Sequence, residues 1–171
     1  MRNVSRHSLV LGIFPNTRGF AFALFEGPLA PVDWGVVRIR GSDKNRKCIA
    51  RIAKLFGQYQ PDILVLQDIS ATGTWRSARI RELNEAIETL AETQDIGVVK
   101  FTRTDVRNNF VNQGFQSRYA MAEAIANNIP MLRRFVPPVR KLWMTEDPKV
   151  ALFESIGLIL TWYNERRPTS S

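Results

Sequence analysis

From Leu9 the chain runs Leu-Val-Leu-Gly-Ile-Phe, breaks at Pro15-Asn16-Thr17-Arg18-Gly19, and resumes as Phe-Ala-Phe-Ala-Leu-Phe up to Phe25. The first run is far shorter than the roughly 20 apolar residues needed to cross a bilayer. Short apolar runs rich in branched and aromatic residues, separated by turn chemistry, predict two buried strands joined as a hairpin. Trp34, Val36, Val37 and Ile39 mark a third strand over 32–40, so the N-terminal part is an antiparallel meander. The first strand is the central one, and chemistry is expected where it ends, between Phe14 and Arg18.

The pattern then changes period. Gly41-Ser42-Asp43 supplies a turn and a candidate N-cap, and Ile49, Ile52, Ala53 and Phe56 recur at helical spacing over 44–59. Arg46, Lys47, Arg51 and Lys54 form a basic outer face on that helix. Gln60-Pro61-Asp62 stops it, and Ile63-Leu64-Val65-Leu66 predicts a strand buried on both faces, ending at Gln67-Asp68. A strand that follows a crossover helix lies parallel to the first. After a loop over 71–75, a second helix spans 77–93 with Ile80, Leu83, Ile87 and Leu90 inside. Arg76, Arg79 and Arg81 crowd its start, where cations oppose the helix dipole, which points to a role other than stability.

A fifth strand is predicted over 97–101, followed by a polar, basic connection over 102–118 with Phe110 and Phe115 interleaved. Ser117 caps a helix over 118–127, and Pro130, Pro137 and Pro138 mark an irregular stretch carrying Arg133, Arg134, Arg140 and Lys141. Asp147-Pro148 opens the last helix in the preferred cap and first-turn arrangement. Three strands, helix, strand, helix, strand and two further helices make an α/β mixed sheet with strands one, four and five parallel and helices on both faces.

Length and composition narrow the class. A chain of 171 residues suits a single domain over 1–171, with 44% hydrophobic and 23% charged residues, ordinary globular values. The net charge of +8 is not ordinary and favours a polyanionic partner, nucleic acid ahead of an acidic membrane surface. The lone Cys48 rules out an intrachain disulfide. His7 as the sole histidine argues against a histidine-based zinc site or a Ser-His-Asp triad. A soluble, cytoplasmic protein without membrane attachment is expected.

The run Gly12-Ile13-Phe14-Pro15-Asn16-Thr17-Arg18-Gly19 resembles the opening of RuvC-type Holliday junction resolvases, members of the ribonuclease H-like superfamily, which reads Gly-Ile-Asp-Pro-Gly, a small residue and Gly. Pro61-Asp62-Ile63-Leu64-Val65-Leu66-Gln67 resembles their fourth strand, and Phe153-Glu154-Ser155-Ile156-Gly157-Leu158-Ile159-Leu160 their last helix, which carries Ala-Asp-Ala-Leu-Ala and then aliphatics. In order and spacing the resemblance extends over nearly the whole chain. It implies a ribonuclease H-like fold with a five-stranded mixed sheet, branched or duplex DNA as partner, and a homodimer suited to a symmetric four-way junction. It further implies cleavage of phosphodiesters with Mg²⁺ or Mn²⁺ held by carboxylates from strand one, strand four and the last helix. Here Phe14 stands at the strand-one aspartate, Gln67 at the strand-four glutamate, and Glu154 at the helix position.

Two of the three expected anionic ligands are therefore replaced. Asp68 is the nearest substitute on strand four, yet alternation turns it away from the face that Gln67 occupies unless the strand ends or bulges there. It is a metal ligand with Glu154, or a strand-end aspartate in solvent or paired with an arginine. Glu154 sits among apolar residues, where a carboxylate needs a metal or an arginine. Asp147 reads as a helix cap, about 10 Å along the helix from Glu154. Arg76, Arg79, Arg81, Lys100, Arg103, Arg107 and Arg118 are the candidate nucleic-acid contacts, with Trp75, Phe110 and Phe115 as stacking or wedging aromatics. The leading expectation is a nucleic-acid-binding protein with a degenerate metal site and weak or absent nuclease activity. One alternative is an active structure-selective endonuclease using Asp68, Glu154 and Asp147; the other is a non-catalytic partner-binding scaffold.

Overall fold

Apolar run, turn and apolar run become strands Val10–Asn16 (β1) and Gly19–Gly27 (β2), followed by Ala30–Arg38 (β3), in a computed structural model describing residues 8–70, 76–111, 117–138 and 147–166. Helix Lys44–Tyr59 (α1) leads to Ile63–Gln67 (β4), and helix Ala78–Thr93 (α2) to Gly97–Phe101 (β5). Helices Arg103–Val111 (α3) and Arg118–Asn128 (α4), a 3₁₀ turn over Pro130–Phe135 and helix Lys149–Glu165 (α5) complete the order. The strands form one sheet, β3-β2-β1-β4-β5. β1 and β2, and β2 and β3, are antiparallel, whereas β1 and β4, and β4 and β5, are parallel. The mixed sheet is the one the hydrophobic pattern predicts.

Strand alternation divides the core in two. Leu11, Ile13, Leu64 and Leu66 pack with Cys48, Ile52 and Phe56 of α1 and Leu83 and Ile87 of α2. Val10, Phe14 and Val65 face the other way, onto Ile156 and Ile159 of α5, with Val106 of α3 and Met121 of α4 in the same cluster. Gly12 lies on that second face. A Cβ there would come within 2.6 Å of the Ser155 carbonyl and 2.8 Å of Ile159 Cγ1, so α5 rests directly on the β1 backbone. This approach carries the start of α5 to the end of β1.

Several local expectations shift. β1 continues through Pro15 and Asn16, and only Thr17 and Arg18 form the turn. The β1–β4 ladder stops at Gly12↔Val65, so the amide hydrogen that Pro15 lacks falls where β4 no longer pairs. At Gly19 the backbone passes so close to β3 that a Cβ would lie 2.0 Å from the Val37 carbonyl. Asp43 occupies the N-cap position of α1 in a left-handed conformation and makes no side-chain capping bond.

The connection expected over 102–118 contains α3. Its signal is a reciprocal cap: Thr102 N–H donates to Asp105 Oδ2 at 2.9 Å, and Asp105 N–H to Thr102 Oγ1 at 3.0 Å. Only Val106 and Phe110 of α3 are deeply buried among its described side chains, too narrow a stripe for periodicity to expose. Phe110, expected as a stacking aromatic, is instead a core residue at 5% exposure. Trp75, Phe115, Arg140 and Lys141 lie outside the described residues. No helix among those described is long and apolar enough to cross a membrane.

Two glycines give opposite expectations. Gly12→Ala forces α5 off the sheet and should cost about 1–3 kcal/mol, the usual range for overpacking a filled core. At Gly57, in α1, an alanine methyl would have nothing within 4 Å of it. Gly57→Ala should therefore stabilise by about 0.5–1 kcal/mol, through helix propensity alone. Urea unfolding of both variants checks the pair.

Candidate functional site

The site grows from the end of β1. Phe14 is the last strand residue buried against the α5 side, at 7% exposure. Beyond it, Asn16 Oδ1 accepts the Arg18 N–H at 2.8 Å, which shapes the hairpin tip. Arg76, just before the Ser77 cap of α2, donates Nη2 to the Pro15 carbonyl and lays its guanidinium over the Phe14 ring, 5.1 Å from the centroid. Arg79 donates Nη2 to the Asn16 carbonyl and Nη1 to Asn45 Oδ1, both at 3.1 Å. It ties α2 to α1 and to the end of the central strand.

From the opposite side comes α5. Pro148 takes the N-cap position expected of Asp147, whose Oδ1 accepts the Lys149 N–H at 2.9 Å just before the helix. Glu154 lies two turns along the chain, its side chain 14% exposed and its Oε1 3.0 Å from Arg118 Nε at the start of α4. These elements enclose a cavity of about 430 Å³ whose charged lining is Arg18, Arg76 and Arg118 against Asp147 and Glu154. A second cavity of about 280 Å³ shares Arg118 and Glu154 and adds Arg103 and Arg107. Burial holds the Arg76 pKa below its ordinary value, Arg118 pushes it the same way, and Glu154 opposes both. An arginine stays protonated throughout.

Among the described residues, the donor set around Phe14 and Glu154 does not suit a divalent cation. Mg²⁺ and Mn²⁺ take several hard oxygen ligands. Phe14 offers none, and Glu154 is engaged by a guanidinium. Among the described residues no group of three or more His, Cys, Asp or Glu could hold an ion.

The sequence-predicted residues divide. Phe14, Glu154, Arg76 and Arg118 come together, with Arg103 and Arg107 beside them. Gln67 is buried at 8% exposure, two residues beyond Val65 on the α5 side of the sheet, and its backbone carbonyl accepts a hydrogen bond from Asn84 Nδ2 at 3.0 Å. It does not line the cavity. Asp68 lines neither cavity. Its Oδ1 accepts both the N–H (3.0 Å) and the hydroxyl (2.6 Å) of Ser70, and these bonds hold its carboxyl below the ordinary carboxylate range, with a smaller push from Lys100. Lys100 in turn pairs with Glu88 of α2 at 3.2 Å. Arg81 is exposed on α2 and lines neither cavity. Asn16 and Arg18 also line the cavity, in the stretch at the end of the central strand where chemistry is expected, although neither is among the named candidate contacts.

Solved structures share this architecture. RuvC from Thermus thermophilus in complex with a Holliday junction substrate superposes with a TM-score of 0.67 at 13% identity, covering 94% of this chain and 96% of that one. The yeast mitochondrial Holliday junction resolvase gives 0.63 at 13% identity, covering 95% and 80%. Fowlpox virus resolvase with Holliday junction DNA gives 0.54 at 13%, covering 91% and 99%. The chain therefore has the RuvC-like fold. No family model and no curated protein sequence matches it.

The Arg118–Glu154 pair is partly withdrawn from water, whereas Arg46 and Asp43 are 79% and 64% exposed. A double-mutant cycle on Arg118→Ala and Glu154→Gln should give a coupling of about 1–2 kcal/mol. The same cycle on Arg46 and Asp43 should give less than about 0.5 kcal/mol. Equal couplings would mean that the Glu154 pair is an ordinary surface contact.

Proposed function

We propose that this chain binds nucleic acid, branched or duplex DNA first, through the arginine-lined end of its sheet, with little or no metal-dependent cleavage. One observation carries the reading: Glu154, the acidic residue left of three expected ligands, is paired with Arg118 in a cavity where three arginines face two carboxylates. A cavity with that balance attracts phosphate and repels cations. Arg103 and Arg107 continue the basic lining into the second cavity, on the exposed start of α3. Support also comes from the fold, since two of the similar structures are complexes with Holliday junctions. A pair of chains on one four-way junction suits this reading, because the junction presents symmetric strands.

A second reading has its own support. Asp147 and Glu154 line one cavity, which favours an endonuclease built on rearranged carboxylates. The two readings separate in a cleavage assay. The unmodified protein with Mg²⁺ or Mn²⁺ should leave a labelled four-way junction intact. Robust cutting abolished by both Asp147→Asn and Glu154→Gln would establish the second reading instead.

Binding should be electrostatic and fall steeply with salt. The triple variant Arg76→Ala, Arg103→Ala, Arg107→Ala should flatten the log–log salt slope by up to about 0.9 for each duplex phosphate left unneutralised. Arg79 is left intact because its bonds to Asn16 and Asn45 hold the scaffold. Gel shifts over a salt series read the effect. A folded triple variant that binds as before would reduce the arginines to a solvated face. A protein that binds no nucleic acid at all would favour the partner-binding scaffold.

A further inference from the structure

The cavity that contains Glu154 already holds a cation of its own. Arg76 enters from the start of α2 and is fixed on two sides, by the Pro15 carbonyl on β1 and by the face of Phe14. Its Nε is buried and has no hydrogen-bond partner among the described residues, so the guanidinium carries an unused donor into the protein. A charged donor left unmatched is costly, and an arriving anion offsets that cost through the field even where it bonds the neighbouring nitrogens. No acidic residue sits in the first turn of α2, so the partial positive charge of that helix start adds to Arg76 instead of being cancelled.

Phe14 has a part in this. A ring face holds a guanidinium by cation–π attraction and leaves the in-plane N–H edge available to other groups. An aspartate there would instead close a salt bridge and occupy that edge. Glu154 pairs with Arg118 at Nε, which fixes the azimuth of the second guanidinium at the border of the two cavities. Arg76 and Arg118 also act on each other as like charges. Such a pair favours whatever anion comes between them.

We infer that the Arg76 guanidinium takes the place of a divalent cation, making the cavity a metal-independent site for a phosphodiester of the nucleic-acid backbone, with Arg118 as second donor and Glu154 as its positioning residue. This rests on the nucleic-acid reading for the identity of the anion, though not for the exclusion of metal. An entering Mg²⁺ or Mn²⁺ meets two fixed positive charges, whereas a phosphate oxygen meets donors already oriented. Restoring carboxylates alone does not reopen the site to metal, because Phe14→Asp and Gln67→Glu leave Arg76 in position to neutralise them.

Two readouts test this. The first is Mn²⁺ binding without nucleic acid, followed by electron paramagnetic resonance, for the unmodified protein, for Phe14→Asp with Gln67→Glu, and for that pair combined with Arg76→Met or with Arg76→Lys. The Met combination should bind Mn²⁺ about tenfold or more tightly than the pair alone, as expected when a full positive charge leaves the site. The Lys combination, which keeps the charge, should not. If the pair alone binds Mn²⁺ as tightly as the Met combination, or the Lys combination admits the ion, the inference is overturned. Should the Met combination fail to fold in a thermal melt, the pair alone and the Lys combination still decide, since tight Mn²⁺ binding by either contradicts it.

The second readout is the affinity of the unmodified protein for a four-way DNA junction in EDTA and in Mg²⁺ at matched ionic strength. The two should agree within about twofold, and Arg76→Lys should weaken both about tenfold, because a point charge replaces a planar fork. Binding that requires Mg²⁺, or that is indifferent to Arg76→Lys, overturns the inference. Absence of any junction binding would instead sink the nucleic-acid reading, leaving the Mn²⁺ comparison to judge the exclusion of metal.

Discussion

The missing side chain at Gly12 lets α5 press onto the backbone of β1, with Ser155 and Ile159 where a Cβ would otherwise stand. Most of the site follows from that contact. It fixes the distance between the central strand and the last helix, so that the end of one and the start of the other share a cavity. Glu154 lies one residue before Ser155, and Phe14 two residues after Gly12. A wider separation would leave them in different surroundings. Close packing against a backbone also makes this placement stiff, since there is no flexible side chain in between to absorb a shift.

Charge then decides what the cavity can hold. In a scaffold where carboxylates are expected from two strands and a helix, this chain has an aromatic ring, a neutral amide and a glutamate already paired. Arg76 lies over the ring and Arg118 pairs with the glutamate. The substitutions are mutually consistent: an apolar ring can carry a guanidinium, and a glutamate can aim another. Removing Phe14 takes away the ring on which Arg76 lies, and removing Arg118 takes away the guanidinium paired with Glu154. Consistency of this kind across several residues is what a working arrangement requires.

Much of the fold was legible because β1, β4 and α5 are strongly apolar, and period two or 3.6 shows plainly in such runs. Ser117 announced α4 correctly, and its hydroxyl accepts the Ala120 N–H at 3.0 Å. Helix α3 was hidden because its stability comes from a Thr102–Asp105 cap and two buried side chains, signals that are local and brief. Phe110 misled for the same reason: without the helix, an aromatic amid arginines looks like a stacking residue. At the site, the types of residue were readable and their partners were not. Nothing in the linear order says that Arg76 lies on Phe14, or that Arg118, 36 residues before Glu154, reaches it. Arg79 and Lys100, also candidate phosphate contacts, have protein partners that the linear order does not show: Asn16 and Asn45 for one, Glu88 for the other.

The most direct test is a crystal of the unmodified protein with a short junction DNA, grown in Mn²⁺ and measured at the manganese absorption edge. The expected result is phosphate density against Arg76 and Arg118, and no anomalous peak within bonding distance of Glu154. A manganese peak coordinated by Glu154, with Arg76 displaced from the Phe14 ring, would contradict the account.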